Sequence, residues 1–265
     1  MPLQHTNRST TDYWKQWFNE RAKTATSDYV LNRGTTLRLD ELEVKSLNQL
    51  ISAVAPKRTD VVLDAGCGSG RNLSILSRQV KRIVGLDFSE QMLERAKQRI
   101  AAEQLSNVRL TQGSVTQLEF PDSHFDKVVC ASVLQYLDTK DCEVALEEIV
   151  RVCRPGGTVV LHIKNGTSLY ALSLKLVKIY LQLIGRTPKP EHYRSLGWHT
   201  AVLRRYGATV VDYDSFGIFT FIPMPSALMQ KILKSEIRFL RGKRWKRFGV
   251  NFQMTLRINK KYSPL

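Results

Sequence analysis

The stretch Val62-Leu63-Asp64-Ala65-Gly66-Cys67-Gly68-Ser69-Gly70 decides the fold. A hydrophobic run ends in an acid, and three glycines then alternate over five positions. A helix-like segment follows from Arg71 to Gln79. Seventeen residues beyond Gly70, a second short run, Arg82-Ile83-Val84-Gly85-Leu86, delivers Asp87. Strand, glycine loop, helix, strand and acid, in that order, are how an α/β sheet holds an adenosine-containing ligand. The glycines let the backbone turn and come close to the ligand. The helix start offers N–H groups and a positive dipole end, and Asp87 can accept from both ribose hydroxyls.

The spacing narrows the ligand. Pyrophosphate binders carry G-x-G-x-x-G, whereas this loop reads G-x-G-x-G with Asp64 two residues ahead of it. A carboxylate there repels a pyrophosphate and attracts an ammonium or a sulfonium. In these residues the chain resembles the class I S-adenosylmethionine-dependent methyltransferases. Asp64–Gly70 reads as their first motif and Gly85-Leu86-Asp87-Phe88-Ser89 as their second. Further landmarks match over about residues 40–215. Phe120 to Val129 resembles the approach to the family's fourth strand, and Arg154 to Leu161 its fifth, with a proline–glycine turn feeding a buried strand. Gln112-Gly113-Ser114-Val115 lies where adenine is held, although many members have an acid at the place of Ser114. A hydroxyl can still bond the adenine amino group, more weakly. The resemblance implies S-adenosylmethionine as cofactor, held by Asp64, Gly66, Gly68, Gly70, Asp87, Phe88, Ser114, Val115 and Ala131.

Alternating strand and helix signals predict an α/β fold with a doubly wound, mostly parallel seven-stranded sheet and helices on both faces. Strands are expected at 60–65, 82–87, 107–112, 125–131, 156–163, 207–214 and 251–258, the last antiparallel as in the family. Helices are expected near 70–79, 89–104, 139–153 and 195–206. Residues 1–58 read as an N-terminal helical cap, and 59–265 as the methyltransferase domain with insertions at about 165–195 and 217–250. In the cap, Asp12 looks like the N-cap of a helix carrying Tyr13, Trp14, Trp17 and Phe18. These aromatics suit core packing or a lid over the cofactor. A second helix runs from about Leu39 to Val54, ended by Pro56.

Composition narrows the setting. With 265 residues and 43% hydrophobic content, the chain can bury a substantial core. Cys67, Cys130, Cys142 and Cys153 form no C-x-x-C pair, and no metal-ligand spacing is present. This pattern fits a reduced cytoplasmic compartment. Met1 to Thr11 lacks the apolar core of a secretory signal, and no apolar run is long enough to span a bilayer.

The net charge of +16 is unevenly placed. Residues 1–165 hold 22 Lys/Arg and 20 Asp/Glu, whereas 166–265 hold 18 and 4. Such asymmetry points to an anionic surface, membrane or nucleic acid, as partner of the last hundred residues. Two segments there stand out. Leu169 to Ile184 is rich in leucine, with Lys175 and Lys178 its charged residues. It suits a lid helix buried on the domain, a roof over a lipophilic acceptor, or a helix dipping into a membrane. Residues 227–248 combine an apolar face (Met229, Ile232, Leu233, Ile237, Leu240) with basic residues, eight of them against one acid from 231 to 247. A basic amphipathic helix with aromatics suits an anionic membrane surface; a packed helix with a solvated back is the plainer reading.

Methyl transfer asks the protein to align the reactants and exclude water, and a base is needed only for a protonated acceptor. The place after the fourth strand reads Cys130-Ala131-Ser132-Val133-Leu134-Gln135-Tyr136-Leu137. It lacks the (N/D/S)-P-P-(Y/F/W) motif of enzymes that methylate planar amines. It resembles the S-V-L-x-x-L of ubiquinone/menaquinone-biosynthesis-like (type 11) small-molecule methyltransferases. His199 is the first candidate base, because in similar enzymes the preceding stretch closes over the acceptor; His162 and Tyr136 follow. The expected function is methyl transfer to a small, lipophilic or lipid-linked acceptor such as a quinone precursor, polyketide, glycolipid or sugar. An RNA methyltransferase using the basic C-terminal region and a non-catalytic adenosine-binding regulator are the alternatives.

Overall fold

The computed structural model describes residues 10–24, 40–216 and 249–259. The basic stretch 227–248 and His5 lie outside the described residues. In chain order the elements are α1 (Thr10–Thr24), α2 (Asp40–Val54), β1 (Val61–Ala65), α3 (Arg71–Leu76), β2 (Arg82–Asp87), α4 (Glu90–Ala102), β3 (Val108–Gln112), β4 (Phe125–Ala131), α5 (Thr139–Val152), β5 (Cys153–Lys164), α6 (Leu169–Leu183), α7 (Leu196–Arg205), β6 (Ala208–Phe216) and β7 (Asn251–Ile258). The seven strands form one sheet in the order β3-β2-β1-β4-β5-β7-β6. β7 runs antiparallel to both β5 and β6, and the other strand pairs are parallel.

β1 shows why the apolar run becomes a central strand. Val62, Leu63, Asp64 and Ala65 are all buried, because a parallel sheet is covered on both faces. Leu63 and Ala65 face one core layer with Val128, Leu146 and Ile149. Val62 faces the other with Leu50, Val54, Leu73 and Leu76. The order of the strands reverses at β1 and β4, and the crevice outside their carboxyl ends is where such sheets bind ligands.

Each helix has a local cause. Ser89 caps α4, its hydroxyl accepting from the Met92 amide at 3.2 Å. Asp138 caps α5 through the Asp141 amide at 2.9 Å. Ser195 caps α7 through the Trp198 amide at 3.1 Å. α2 ends at Ala55, whose φ is +45°, just before Pro56. Lys127, buried on β4, closes that end: its Nζ donates to the Val54 and Ala55 carbonyls at 2.6 and 2.5 Å and faces Asp60 at 3.4 Å.

Two elements depart from the sequence expectation. α1 begins at Thr10, so Asp12 sits in its first turn, not at its cap. β5 begins at Cys153, before the proline–glycine turn read as its approach. Cys153 pairs with Phe125, and the register shifts before Thr158 meets Lys127.

Candidate active site

The glycine loop turns on backbone geometry. Gly66 has φ +84° and Gly70 φ +80°, both in the left-handed region that side chains disfavour. A Cβ on Gly66 would also lie 2.3 Å from Val133 Cγ2. The turn is pinned by the Gly66 and Cys67 amides, which donate to the Leu86 carbonyl at 2.7 and 2.9 Å. Gly70 starts α3 and packs against Ala96. It shapes the loop without lining the cavity.

That cavity, about 230 Å³, lies at the carboxyl edge of the sheet. Its lining includes Gly66, Gly68, Asp87, Phe88, Gly113, Ser114, Val115 and Ala131. Asp87 is fixed there by two amides: Oδ2 accepts from Gly68 at 2.8 Å and Oδ1 from Ser89 at 2.9 Å. Burial pushes its carboxyl up to about 6, against the pull of these amides. Each oxygen keeps a further acceptor site for a diol. The Ser114 hydroxyl accepts from the Thr116 amide at 3.2 Å and pairs with the Thr116 hydroxyl at 2.7 Å.

Asp64 lies beneath the loop, fully buried. Its Oδ1 meets the Asn72 amide nitrogen at a long 3.5 Å, and its Oδ2 has no hydrogen-bond partner among the described residues. Burial, with Asp87 adding to it, pushes this carboxyl up to about 7. A buried carboxylate oxygen left without a donor calls for a cation or a strong donor. The donor set fits S-adenosylmethionine: Asp87 suits the ribose, Phe88, Ser114 and Val115 suit the adenine, and Asp64, buried behind the cavity-lining Asn72, adds negative charge for a cation.

Trp14, Phe18, Leu47, Leu50, Gln135, Tyr136, His162, Lys164 and Asn251 line the same cavity. α1 roofs it. The Trp14 and Tyr136 rings lie 4.5 Å apart, and Phe18 packs edge-on to Tyr136 at 5.2 Å. α1 is tied down by the Ser89 hydroxyl to Asn19 at 2.6 Å and by Arg95 to the Ala22 carbonyl at 2.9 Å. Trp14 and Phe18 thus both build a small core and line the cavity, whereas Tyr13 and Trp17 pack against that core.

Of the candidate bases, His162 and Tyr136 line the cavity. His199 does not. It sits on α7 at 2% exposure, its Nδ1 2.9 Å from the Ser195 carbonyl, and burial pushes it down to about 4. Its place after the closing stretch suggested access, but the helical turn directs its ring to its own backbone. The sequence reading missed Gln135, Lys164 and Asn251. Gln135 is buried, its Nε2 donating to the Ser132 carbonyl at 2.9 Å, while its Oε1 has no partner among the described residues. Lys164 Nζ donates to Asn251 Oδ1 at 2.8 Å across the β5–β7 pair. Gln135 stood in a stretch read only for the amine motif. No sequence signal marks Asn251.

All four cysteines are buried, and burial pushes their thiols up, Cys142 to about 11 and Cys153 to about 12. None is poised as a thiolate nucleophile. No cluster that could hold a metal occurs among the described residues.

Comparison with known proteins agrees with this geometry. Residues 62–157 match the Methyltransferase domain family. A phosphatidylethanolamine N-methyltransferase of Cereibacter sphaeroides is 38% identical over 101 residues, covering 38% of this chain and 48% of the relative. A demethylmenaquinone methyltransferase of Lactococcus lactis subsp. lactis (strain IL1403) is 40% identical over 102 residues, covering 37% and 40%. The chain thus matches less than half the length of either relative. Among solved structures, phosphoethanolamine N-methyltransferase 1 of Haemonchus contortus, in complex with phosphoethanolamine and S-adenosylhomocysteine, superposes with a TM-score of 0.68 at 17% identity. That superposition covers 100% of this chain and 53% of the other, and shows the shared fold. Residues 62–157 match the methyltransferase domain family, and the fold built around them is one shared with solved methyltransferase structures.

Proposed function

We propose that the protein transfers the methyl group of S-adenosylmethionine to a small acceptor of lipophilic or lipid-linked character. The observation that carries the reading is Asp87, presented to the cavity beside Gly66 and Gly68 with each carboxylate oxygen held by a backbone amide, while the preceding strand buries the unpartnered Asp64 Oδ2 behind the cavity-lining Asn72. The cofactor supplies an activated methyl group: an acceptor lone pair forms the new bond to carbon as the carbon–sulfur bond breaks and its electron pair returns to sulfur. The chain binds, orients and shields. Asp87 holds the ribose end, and Asp64 offers the carboxylate that matches the cofactor's positive charge. The roof formed by Trp14, Phe18 and Tyr136 excludes water from the acceptor end. His162 is the histidine placed to take a proton from an acceptor that needs to lose one.

The Trp14, Phe18, Leu47 and Leu50 part of the lining supports a lipophilic acceptor. So do the names of the two relatives, one acting on phosphatidylethanolamine and one on demethylmenaquinone. The test is transfer of labelled methyl from S-adenosylmethionine into lipid and quinone-precursor fractions. Label entering an organic-extractable product, and lost in Asp87→Ala, is the expected result. Label entering only RNA overturns the acceptor class, and no transfer to any fraction by protein that binds the cofactor overturns the activity.

A further inference from the structure

α6 is an unusual helix for the surface of a domain. Only Ala171 of its 15 residues is buried. Leu169, Leu172, Leu176, Ile179, Tyr180 and Leu183 lie at successive spacings of three, four, three, one and three residues and share one face. Leu183 is 80% exposed, Leu169 63% and Leu176 62%. With Val177 and Ile184, also exposed, the apolar arc covers roughly 160° of the helix at 3.6 residues per turn. The expectation of a lid helix buried on the domain is not met. A dry patch of this extent marks a docking surface.

We propose that this face docks onto an anionic lipid bilayer. Charge selects the partner. Between residues 165 and 190 the chain has four Lys/Arg and no Asp or Glu; Lys175 borders the leucine face, whereas Lys178 lies on the side of α6 turned to the domain. A second copy meeting this face by twofold symmetry would bring one acid-free, cationic segment onto an identical one. Anionic headgroups over an apolar interior match both features: leucines enter the acyl boundary while lysine and arginine reach the phosphates. At 15 residues, α6 is about 22 Å long, short of the roughly 30 Å hydrocarbon core, so it lies along the surface and does not cross it.

The attachment of α6 gives the docking a consequence. It follows His162 and Lys164 of the cavity wall directly, and Asn165 and Ser168 lock its start: Asn165 donates to the Gly249 carbonyl at 2.7 Å, and the Ser168 hydroxyl accepts from the Ala171 amide at 3.1 Å. Lys178 donates to the Glu191 carbonyl at 2.7 Å, and neighbouring Pro190 accepts from Trp14 of the lid at 3.3 Å. α6 thus stands between the docked face and the lid: its inner side, with Ala171 and Lys178, meets the domain, and the leucine face points away from it. The surface itself stands on exposure and charge, independently of the methyl-transfer reading.

Because all four native cysteines are buried, Leu183→Cys in the full chain can be labelled selectively with an environment-sensitive fluorophore. The probes are phosphatidylcholine vesicles with and without phosphatidylglycerol, with neither cofactor nor acceptor added. The expected result is flotation with the anionic vesicles, a blue shift of the label, and loss of both at high salt. Adding Leu172→Gln and Leu176→Gln lowers vesicle affinity at least about tenfold, with the melting temperature unchanged because both side chains are exposed. Flotation without a blue shift assigns membrane binding to another segment and overturns the proposal. So does wild-type vesicle affinity in the double leucine variant, or no flotation at all. A wild-type dimer that those substitutions dissociate, without vesicle binding, overturns it in favour of contact between copies.

Discussion

Asp64 in the free protein is near its midpoint of titration at neutral pH, because burial and the neighbouring Asp87 push it up to about 7. A cationic ligand needs its charged form, so binding must expel the proton whenever the pH lies below that value. Affinity for S-adenosylmethionine is therefore expected to be steady above about pH 8. It falls through pH 7 to 6 by up to about tenfold per unit, and more steeply as Asp87 begins to protonate near about 6. Calorimetry across this range checks the sign. Asp64→Asn should bind weakly at all pH values and lose the slope through pH 7. His199 provides the contrast. It is buried on α7 and outside the cavity wall, so His199→Ala should leave kcat within about twofold while lowering the melting temperature. The legible residues were those whose type and spacing form the motif, Asp64, the glycines and Asp87, of which Gly66, Gly68 and Asp87 line the cavity. Gln135, Lys164 and Asn251 were not legible, because what matters for them is the three-dimensional pairing of distant strands.

Elements were legible wherever one physical signal governed them. β1 and β2 are apolar runs ended by an acid, and the structure places them at Val61–Ala65 and Arg82–Asp87. The β5 boundary was hidden because Pro155 and Gly156 read as a turn, whereas the strand carries them through a register shift beside Phe125 and Lys127. α6 showed its apolar character in sequence but not its exposure, which depends on how little of the domain lies beneath it. The junction of α2 and β4 yields a stability prediction. Lys127 is 8% exposed and supplies the last carbonyls of α2 with donors while neutralising buried Asp60. Lys127→Met removes both roles and leaves a charge uncompensated, which costs about 3 kcal/mol. A melting temperature lowered by roughly 6–10 °C is expected, with the far-ultraviolet circular dichroism spectrum of the folded state unchanged.

The whole molecule divides its tasks along the chain. Residues up to 165 are nearly neutral in charge and build the loop, Asp87 and most of the sheet. The later part holds the cationic excess, α6 and the two outermost strands at one edge. This division matches the sequence signals: the fold and the proposed donor site rest on local motifs, and the proposed acceptor side does not. The donor site is assembled largely from one contiguous βαβ unit, whereas the acceptor end joins α1, the segment around Gln135, β5 and β7. A fold of this kind hosts many reactions, so the identity of the bound donor carries the account. Its central claim is that Asp87 and the glycine loop form an S-adenosylmethionine site. Isothermal titration of S-adenosylmethionine at pH 8 into wild type and Asp87→Ala tests this most directly. Saturable one-to-one binding by wild type, weakened at least about 100-fold in the variant by the lost charge-assisted ribose bonds, is the predicted result; equal affinity in the two proteins, or no binding by wild type, would contradict it.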